Sequence, residues 1–273
     1  MNEKKFKRFT FSNRLMSMLK LDFKKLLKTP LFYLMIGIAF MIPVLILVMT
    51  TMTAGSESID RVTGEVVITP QMYFNVFQAI NPLSNGGSAY PYGEVNALEK
   101  MCNIDMMYFA SAVFMSIYIS EEFRSGFSKN LFTVRADKTD YIISKTAIGY
   151  VSGIIFILAY FIGALLGGAI AKLSFETIGF TISNVIMCIL SKSFLMGLFV
   201  SIFIIMCVIG KQKTWLSMIL SLSVGMIMFM MVSLISPLDS TIVNVLLTFI
   251  GGIIFAIGLG LISKTILKKG NIL

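Results

Sequence analysis

Residues 31–52 read LFYLMIGIAFMIPVLILVMTTM and contain no charged side chain. A membrane-spanning helix needs about 20 apolar residues, because the hydrocarbon core is about 30 Å thick and a helix rises about 1.5 Å per residue. The stretch is long enough to cross, and it is too long for the apolar part of a cleavable signal peptide. It therefore predicts a transmembrane helix.

Five further apolar stretches follow the first, so we expect six transmembrane helices. Their approximate bounds are 31–52, 104–119, 146–170, 191–210, 215–236 and 241–267. Of the 273 residues, 56% are hydrophobic and 14% are charged, whereas a soluble domain carries about 25% charged residues. This composition excludes a soluble enzyme, a disordered chain and a secreted disulfide scaffold. The predicted fold class is an all-α integral membrane protein.

Several kinds of chemistry are missing from the sequence. The chain has no histidine, which removes imidazole catalysis and histidine-bound zinc. It contains no GxxxxGK[ST] loop for ATP phosphates. Cys102, Cys188 and Cys207 form no CxxC pair and are interpreted as small buried hydrophobic residues. We therefore expect no catalytic residue, metal or cofactor on this chain.

The basic residues are concentrated on one side of the predicted spans. Nineteen of the 23 lysines and arginines lie before residue 31, between spans two and three, between spans four and five, or in the C-terminal tail. The positive-inside rule then predicts that both termini lie in the cytoplasm. The expected location of the protein is the plasma membrane. Because topology explains the basic charge, we expect no nucleic-acid partner.

Residues 1–30 are predicted to form a cytoplasmic basic tail and an amphipathic helix, and residues 31–273 the six-span domain. Apolar residues recur at three- and four-residue spacing over 13–29, with lysines between them, and Pro30 should end the helix. Such a helix either anchors the chain at membrane lipid or also touches a cytoplasmic partner. The residues proposed for this interfacial helix are Leu19, Phe23, Lys24, Leu26 and Leu27.

Residues 53–103 are predicted to form an extracellular insertion. Residues 59–69 alternate around Thr63-Gly64 and suggest a β-hairpin. Two interpretations stay open for the rest: a small cap packed on the bundle, or a ligand-binding surface. The aromatic residues of such a surface are Tyr73, Phe74, Phe77, Tyr90 and Tyr92.

Lys192 is the one candidate charge inside the fourth span. It precedes Lys211 by 19 residues, or about 28 Å of helix, which places it near the outer interface. We interpret it as a lysine whose ammonium group reaches the interface, in preference to a substrate contact. Small residues also recur at four-residue spacing in several spans, a pattern that lets helices approach closely.

Residues 121–131, EEFRSGFSKNL, follow the second span and are called the knuckle below. Gly126 can adopt a backbone conformation that reverses the chain. Arg124 and Lys129 can pair with acidic groups of a partner, while Phe123, Phe127 and Leu131 offer apolar contacts. The knuckle is interpreted as a docking surface or, alternatively, as a solvated loop.

The pattern E-F-R-x-G-x-x-K-N-L at 122–131, followed by KTDYIISK at 138–145, resembles the permease subunits of type-2 ATP-binding-cassette transporters. The resemblance extends to the basic N-terminal helix and the six spans. It implies that residues 120–145 form a cytoplasmic coupling segment that docks on a separate ATPase subunit, which binds ATP and Mg²⁺. The contact residues it implies are Glu122, Phe123, Arg124, Gly126, Phe127, Lys129, Asn130 and Leu131.

The resemblance predicts a function as the permease subunit of an ATP-driven exporter, paired with an identical or a sister permease. The spans are poor in charge, which suits an amphipathic peptide or a lipid-like cargo. The long external segment is similar to that of permeases for antimicrobial peptides and producer self-protection. The alternatives are a membrane scaffold or sensor that binds a ligand outside, and, ranked last, an ion-coupled carrier.

Overall fold

The computed structural model describes residues 10–59, 66–69, 71–84, 103–134, 138–177, 179–211 and 213–269. Within these ranges the chain forms eight α-helices, a short 3₁₀ helix at Val76–Ala79 and a two-stranded sheet. The helices are α1 Phe11–Lys28, α2 Pro30–Thr53, α3 Met106–Arg124, α4 Phe127–Val134, α5 Thr139–Ile170, α6 Ile182–Gly210, α7 Thr214–Ile235 and α8 Ile242–Lys269.

Four helices are long and apolar enough to cross a membrane: α2, α5, α6 and α8. They correspond to the first, third, fourth and sixth predicted spans. Helix α7 carries a shorter apolar stretch, Thr214–Met230, and α3 ends in the charged residues Glu121, Glu122 and Arg124. The chain is thus a multi-pass helical protein, and the count of six spans stays a prediction at this point.

One bundle is formed by the six long helices α2, α3, α5, α6, α7 and α8. Each of these helices runs in the opposite direction to the one before it. Helices α3 and α7 run antiparallel, because Ser116 contacts Ser221 at 3.3 Å while Ser120 contacts Ser217 at 3.2 Å. All four serines are buried. Their hydroxyl pairs hold α7 to the centre of the bundle without burying an unpaired polar group.

Small residues bring the backbones of neighbouring helices together, as their spacing predicted. A Cβ atom at Gly252 of α8 would lie 2.9 Å from the carbonyl oxygen of Phe194 in α6. At Gly163 of α5, a Cβ atom would collide with the backbone of Phe40 in α2. Any larger residue at these two positions has to push the helices apart.

Helix α6 begins nine residues earlier than predicted. The fourth span was predicted to begin near residue 191, but the helix starts at Ile182. Thr181 explains this start, since its side chain accepts a hydrogen bond from the Asn184 backbone while Asn184 bonds back to Thr181. Lys192 therefore lies well inside α6.

At the end of the bundle away from α1, part of the segment at 53–103 packs on the helices. Strands β1 Glu57–Ile59 and β2 Val66–Ile68 pair antiparallel, in agreement with a hairpin, although β1 begins two residues before the predicted range and the predicted turn at Thr63-Gly64 lies outside the described residues. The 3₁₀ helix at Val76–Ala79 is buried, and its neighbour Asn81 donates a hydrogen bond to the Ser236 carbonyl oxygen. Residues 71–84 thus form a cap on the bundle.

Candidate functional site: a buried ion cluster behind the knuckle

Four charged side chains from three helices meet at the end of the bundle where α1 lies. Lys145 of α5 places its Nζ atom 2.8 Å from Asp22 of α1 and 2.6 Å from Glu122 of α3. Lys25 of α1 lies 2.8 Å from the same Glu122 oxygen. We call Asp22, Lys25, Glu122 and Lys145 the ion cluster. With all four ionised, its two positive charges balance its two negative ones.

The ion cluster is closed off from solvent and its carboxylates are fully hydrogen-bonded. Asp22, Glu122 and Lys145 have no exposed side-chain surface, while Lys25 is one-third exposed. Ser144 donates to the second oxygen of Asp22 at 2.6 Å, and Tyr141 donates to the second oxygen of Glu122 at 3.0 Å. All four carboxylate oxygens therefore have partners, as buried charges require.

An aromatic ring also faces the ammonium groups of the ion cluster. Lys25 Nζ lies 4.7 Å and Lys145 Nζ 5.2 Å from the ring centre of Tyr118. At these distances the ring quadrupole attracts a cation. The hydroxyl of Tyr118 donates to the Asp22 carbonyl oxygen at 3.4 Å, so α3 holds α1 by this contact as well.

The knuckle begins directly beside the ion cluster. Helix α3 ends at Arg124, two residues after Glu122, and the chain then turns at Gly126, whose φ is +75°. This positive φ agrees with the predicted reversal at Gly126, because residues with a Cβ atom rarely adopt it. The eight-residue helix α4 follows at once and carries Lys129 and Asn130 on its exposed side.

The structure divides the eight predicted contact residues into two groups. Glu122 and Phe123 are buried within this chain, which differs from the expectation that they face a partner. Glu122 is buried because two lysines and a tyrosine surround its carboxylate. The other six residues are exposed or partly exposed: Arg124, Gly126, Phe127, Lys129, Asn130 and Leu131.

The predicted residues of α1 also differ in their surroundings. Leu26 is buried against the bundle, Leu19 and Phe23 are partly buried, and Lys24 and Leu27 are exposed. Asp22 was not among the predicted site residues, although it lies between Met18 and Leu26 at four-residue spacing. These three residues form the buried side of α1. A carboxylate at the centre of an apolar helix face was the available signal.

A cavity of about 680 Å³ opens beside the ion cluster. Lys24, Lys25 and Lys28 of α1 line it together with Glu121 and Phe127 of the knuckle. Three lysines on one wall give the cavity a positive potential. This end of the molecule therefore offers an exposed basic surface next to the closed ion cluster.

A second buried ion pair lies toward the opposite end of the bundle. Lys192 of α6 pairs with Asp105, the residue before α3, and each side chain is only 1% exposed. The prediction that Lys192 reaches the membrane interface is wrong, because Asp105 neutralises it inside the protein. The Tyr108 hydroxyl donates to the Lys192 carbonyl oxygen at 2.9 Å and ties α3 to α6 at the same point.

Packing of the cap buries two of the five aromatic residues that were predicted to form a ligand-binding surface. Tyr73 and Phe77 are buried, with 1% and 8% of their surface exposed, so neither side chain belongs to an open surface. Phe74 is partly exposed. Tyr90 and Tyr92 lie outside the described residues, as does Cys102. Cys188 and Cys207 are buried free thiols, as predicted.

Comparison with known proteins identifies the family. Residues 18–227 match the model of a family described as ABC-2 family transporter protein, which is most of the chain. Searches of curated proteins and of solved structures returned no match. The matched residues include α1 from Met18, the knuckle and the whole ion cluster. The chain therefore belongs to the ABC-2 transporter family, whose members are translocation permeases that normally work with a separate ABC ATPase.

Proposed function

We propose that this chain is the transmembrane permease subunit of an ATP-driven exporter in the plasma membrane, and that its knuckle contacts the ATPase. One observation carries the proposal: the ion cluster lies directly behind the knuckle and joins it to α1 and α5. The exposed knuckle would receive the ATPase, and the buried cluster would pass its movement into the bundle.

The proposal includes six membrane passes with both termini in the cytoplasm. Helices α3 and α7 have 19 and 22 residues, which correspond to about 28 and 33 Å of length. Helix α7 exceeds the hydrocarbon core of about 30 Å, and α3 lies within the range of about 17–25 residues that spanning helices have. Since successive helices alternate in direction, α1, the knuckle and the end of α8 lie on one side. Their lysines and arginines favour the cytoplasm.

Helix α1 is proposed to lie in the headgroup region at the cytoplasmic surface. It turns its buried residues toward the bundle and leaves apolar and basic side chains outside. Apolar side chains of this kind insert below the headgroups, while lysines attract anionic lipid. The exposed residues are Met16, Lys20, Leu21, Lys24, Leu27 and Lys28.

The docking surface is proposed to be α4 and the turn before it. Arg124, Lys129 and Asn130 supply polar groups, and Phe127 and Leu131 supply partly exposed apolar ones. Interfaces of this composition combine an apolar anchor with charged groups that orient the partner. ATP and Mg²⁺ would bind to the partner subunit, where hydrolysis would take place.

The cargo is proposed to be an amphipathic peptide or a lipid-like compound. Within the described residues, the two buried lysines of the bundle are paired, Lys145 in the ion cluster and Lys192 with Asp105. Ion-coupled transporters usually bury several ionisable groups along their pathway, so the small number described here favours cargo movement powered from outside the membrane. A second permease, identical or related, would complete the pathway. Antimicrobial-peptide resistance is one function that such an exporter could serve.

The test is an affinity purification of the tagged chain from native membranes in mild detergent. We expect a stoichiometric cytoplasmic ATPase with a GxxxxGK[ST] loop to purify with the wild-type protein. The double variant R124E/K129E should lose this subunit, because it places acidic groups where the partner's acidic groups are expected. The control K20E/K213E reverses two exposed lysines elsewhere and should retain it.

Each outcome of this purification has a clear meaning. Retention of the ATPase by R124E/K129E, in a protein with an unchanged melting temperature, would rule out the knuckle as the docking surface. Absence of any ATPase from the wild-type sample would favour the non-transporting scaffold or sensor.

A further inference from the structure

A long apolar groove runs along the outside of the bundle between α5, α6 and α8. Its volume is about 560 Å³. Ile142 and Tyr150 of α5 form one wall, Phe194 and Phe249 close one end, and Lys264 lies at the other. Several residues of its rim are exposed, so the groove opens toward the surroundings of the bundle. We call it the lateral groove.

Glycines make the lateral groove possible. Gly197 and Gly260 are among its lining residues. A Cβ atom at Gly260 would lie 3.9 Å from Ile142, and one at Gly197 would lie 3.7 Å from Tyr150. These are ordinary contact distances, so a Cβ atom fits at each glycine without a clash. A larger side chain at Gly260 would extend into the groove.

The lateral groove is long enough to hold an acyl chain that spans one leaflet of a bilayer. From Phe249 to Lys264 the groove follows 15 residues of α8, or about 22 Å of helix. One leaflet contributes about half of the 30 Å hydrocarbon core, or about 15 Å, so the groove is longer than the hydrocarbon part of one leaflet. An acyl chain lying in the groove would thus run from the headgroup level to the bilayer centre.

The lysine end of the lateral groove is strongly basic. Lys268 follows Lys264 by one helical turn, on the same side of α8. Lys138, the residue before α5, donates from Nζ to the Leu267 carbonyl oxygen at 2.5 Å. Burial, and secondly the charge of Lys268, lowers the pKa of Lys138. The nearby described carboxylate, Asp140, faces Arg14 at 3.6 Å. A phosphate at this end would lie near three positive charges.

We propose that the lateral groove binds one anionic phospholipid of the surrounding bilayer. One acyl chain lies along α8 between Phe249 and Lys264, and the phosphate lies among Lys138, Lys264 and Lys268. The charge at one end and the apolar length of the rest match a phospholipid of the leaflet next to α1. This site belongs to the permease chain alone and does not depend on the ATPase.

The test uses the purified full-length chain without any ATPase. Phosphatidylglycerol and phosphatidylcholine of equal chain length are titrated into detergent micelles, and bound lipid is counted by native mass spectrometry. The wild-type protein should bind one phosphatidylglycerol in preference to phosphatidylcholine. K264Q should weaken phosphatidylglycerol binding about fivefold, which corresponds to about 1 kcal/mol for one lysine near an anionic headgroup.

Matched variants separate the groove from the rest of the lipid-facing surface. G260L fills the groove and should abolish the tight site. G258L adds the same side chain two residues away, where a Cβ atom meets nothing within 4 Å, and should bind as wild type does. K213Q, at an exposed lysine of the α6–α7 turn, should also bind normally.

Three results would overturn the proposal. They are equal binding of both lipids by the wild-type protein, wild-type binding by G260L, and equal loss in G258L and G260L. K264Q leaves the groove's shape intact, so it keeps the test decisive if G260L fails to fold. Because no ATPase is present, loss of the lipid site and failure of the exporter function are separate results.

Discussion

Replacing Lys145 by methionine tests whether the ion cluster holds α1, α3 and α5 together. In the wild-type protein this ammonium group contacts two buried carboxylates, at 2.8 Å and 2.6 Å. After K145M, Glu122 would keep Lys25 and Tyr141, whereas Asp22 would keep only its bond from Ser144. Asp22 would therefore become an uncompensated buried charge.

The expected loss of stability follows from this imbalance. Removing one partner of a buried ion pair costs about 3–5 kcal/mol, because the other charge stays in a low-dielectric site. For a chain of this size, 1 kcal/mol shifts the melting temperature by roughly 2 °C or more. We expect K145M to melt at least about 6 °C below wild type in detergent, followed by intrinsic fluorescence or circular dichroism.

A second substitution shows whether the loss comes from charge imbalance. D22N/K145M removes one charge of each sign and leaves the Lys25–Glu122 pair in place. This double variant should be more stable than K145M by about 1–3 kcal/mol, the usual coupling between contacting residues. K20M, at an exposed lysine of α1, should stay within about 0.5 kcal/mol of wild type. A K145M melting temperature equal to that of wild type, or a double variant less stable than K145M, would refute the reasoning.

Three further substitutions test other parts of the structure by the same melting measurement. K192M should destabilise the protein by about 3–5 kcal/mol, and D105N/K192M should recover at least about 1 kcal/mol of this loss. A K192M protein as stable as wild type would contradict a structural role for the Lys192–Asp105 pair. G126V should cost about 1–2 kcal/mol and reduce ATPase co-purification, while G126N, which tolerates positive φ, should remain near wild type. G163L should separate α2 from α5 and lower the melting temperature, whereas G37L, which meets no neighbouring atom, should not.

The apolar helices could be predicted because each carries its own signal. Residues 31–52 and 241–267 contain enough uninterrupted apolar residues to identify α2 and α8 without knowledge of their neighbours. The end of α1 before Pro30 and the turn at Gly126 were predictable for the same reason. Each depends on the backbone properties of one residue.

The ion cluster could not be predicted, because its members come from distant parts of the chain. Asp22 and Lys145 are 123 residues apart in sequence, and Lys25 and Glu122 are 97 apart. Read along the chain, Lys145 was one more basic residue in a connection that obeys the positive-inside rule. The same holds for Lys192, whose partner Asp105 lies 87 residues earlier. Pairing at this distance depends on how helices pack, which hydropathy does not describe.

The packing around the ion cluster also indicates which helices would move together if a partner pressed on the knuckle. Glu122 is bonded to α1 and α5, so a displacement of the end of α3 would carry both. Helix α5 in turn contacts the backbone of α2 at Gly163, where the two helices are too close for even a Cβ atom to fit between them. Helices α3 and α7 meet through serine pairs at 3.2–3.3 Å, and such hydrogen bonds are worth only about 0.6 kcal/mol each in membrane proteins. The serine pairs are therefore a weak part of the contact between α3 and α7, whereas Tyr108 ties α3 to α6, so a movement of α3 would also reach α6.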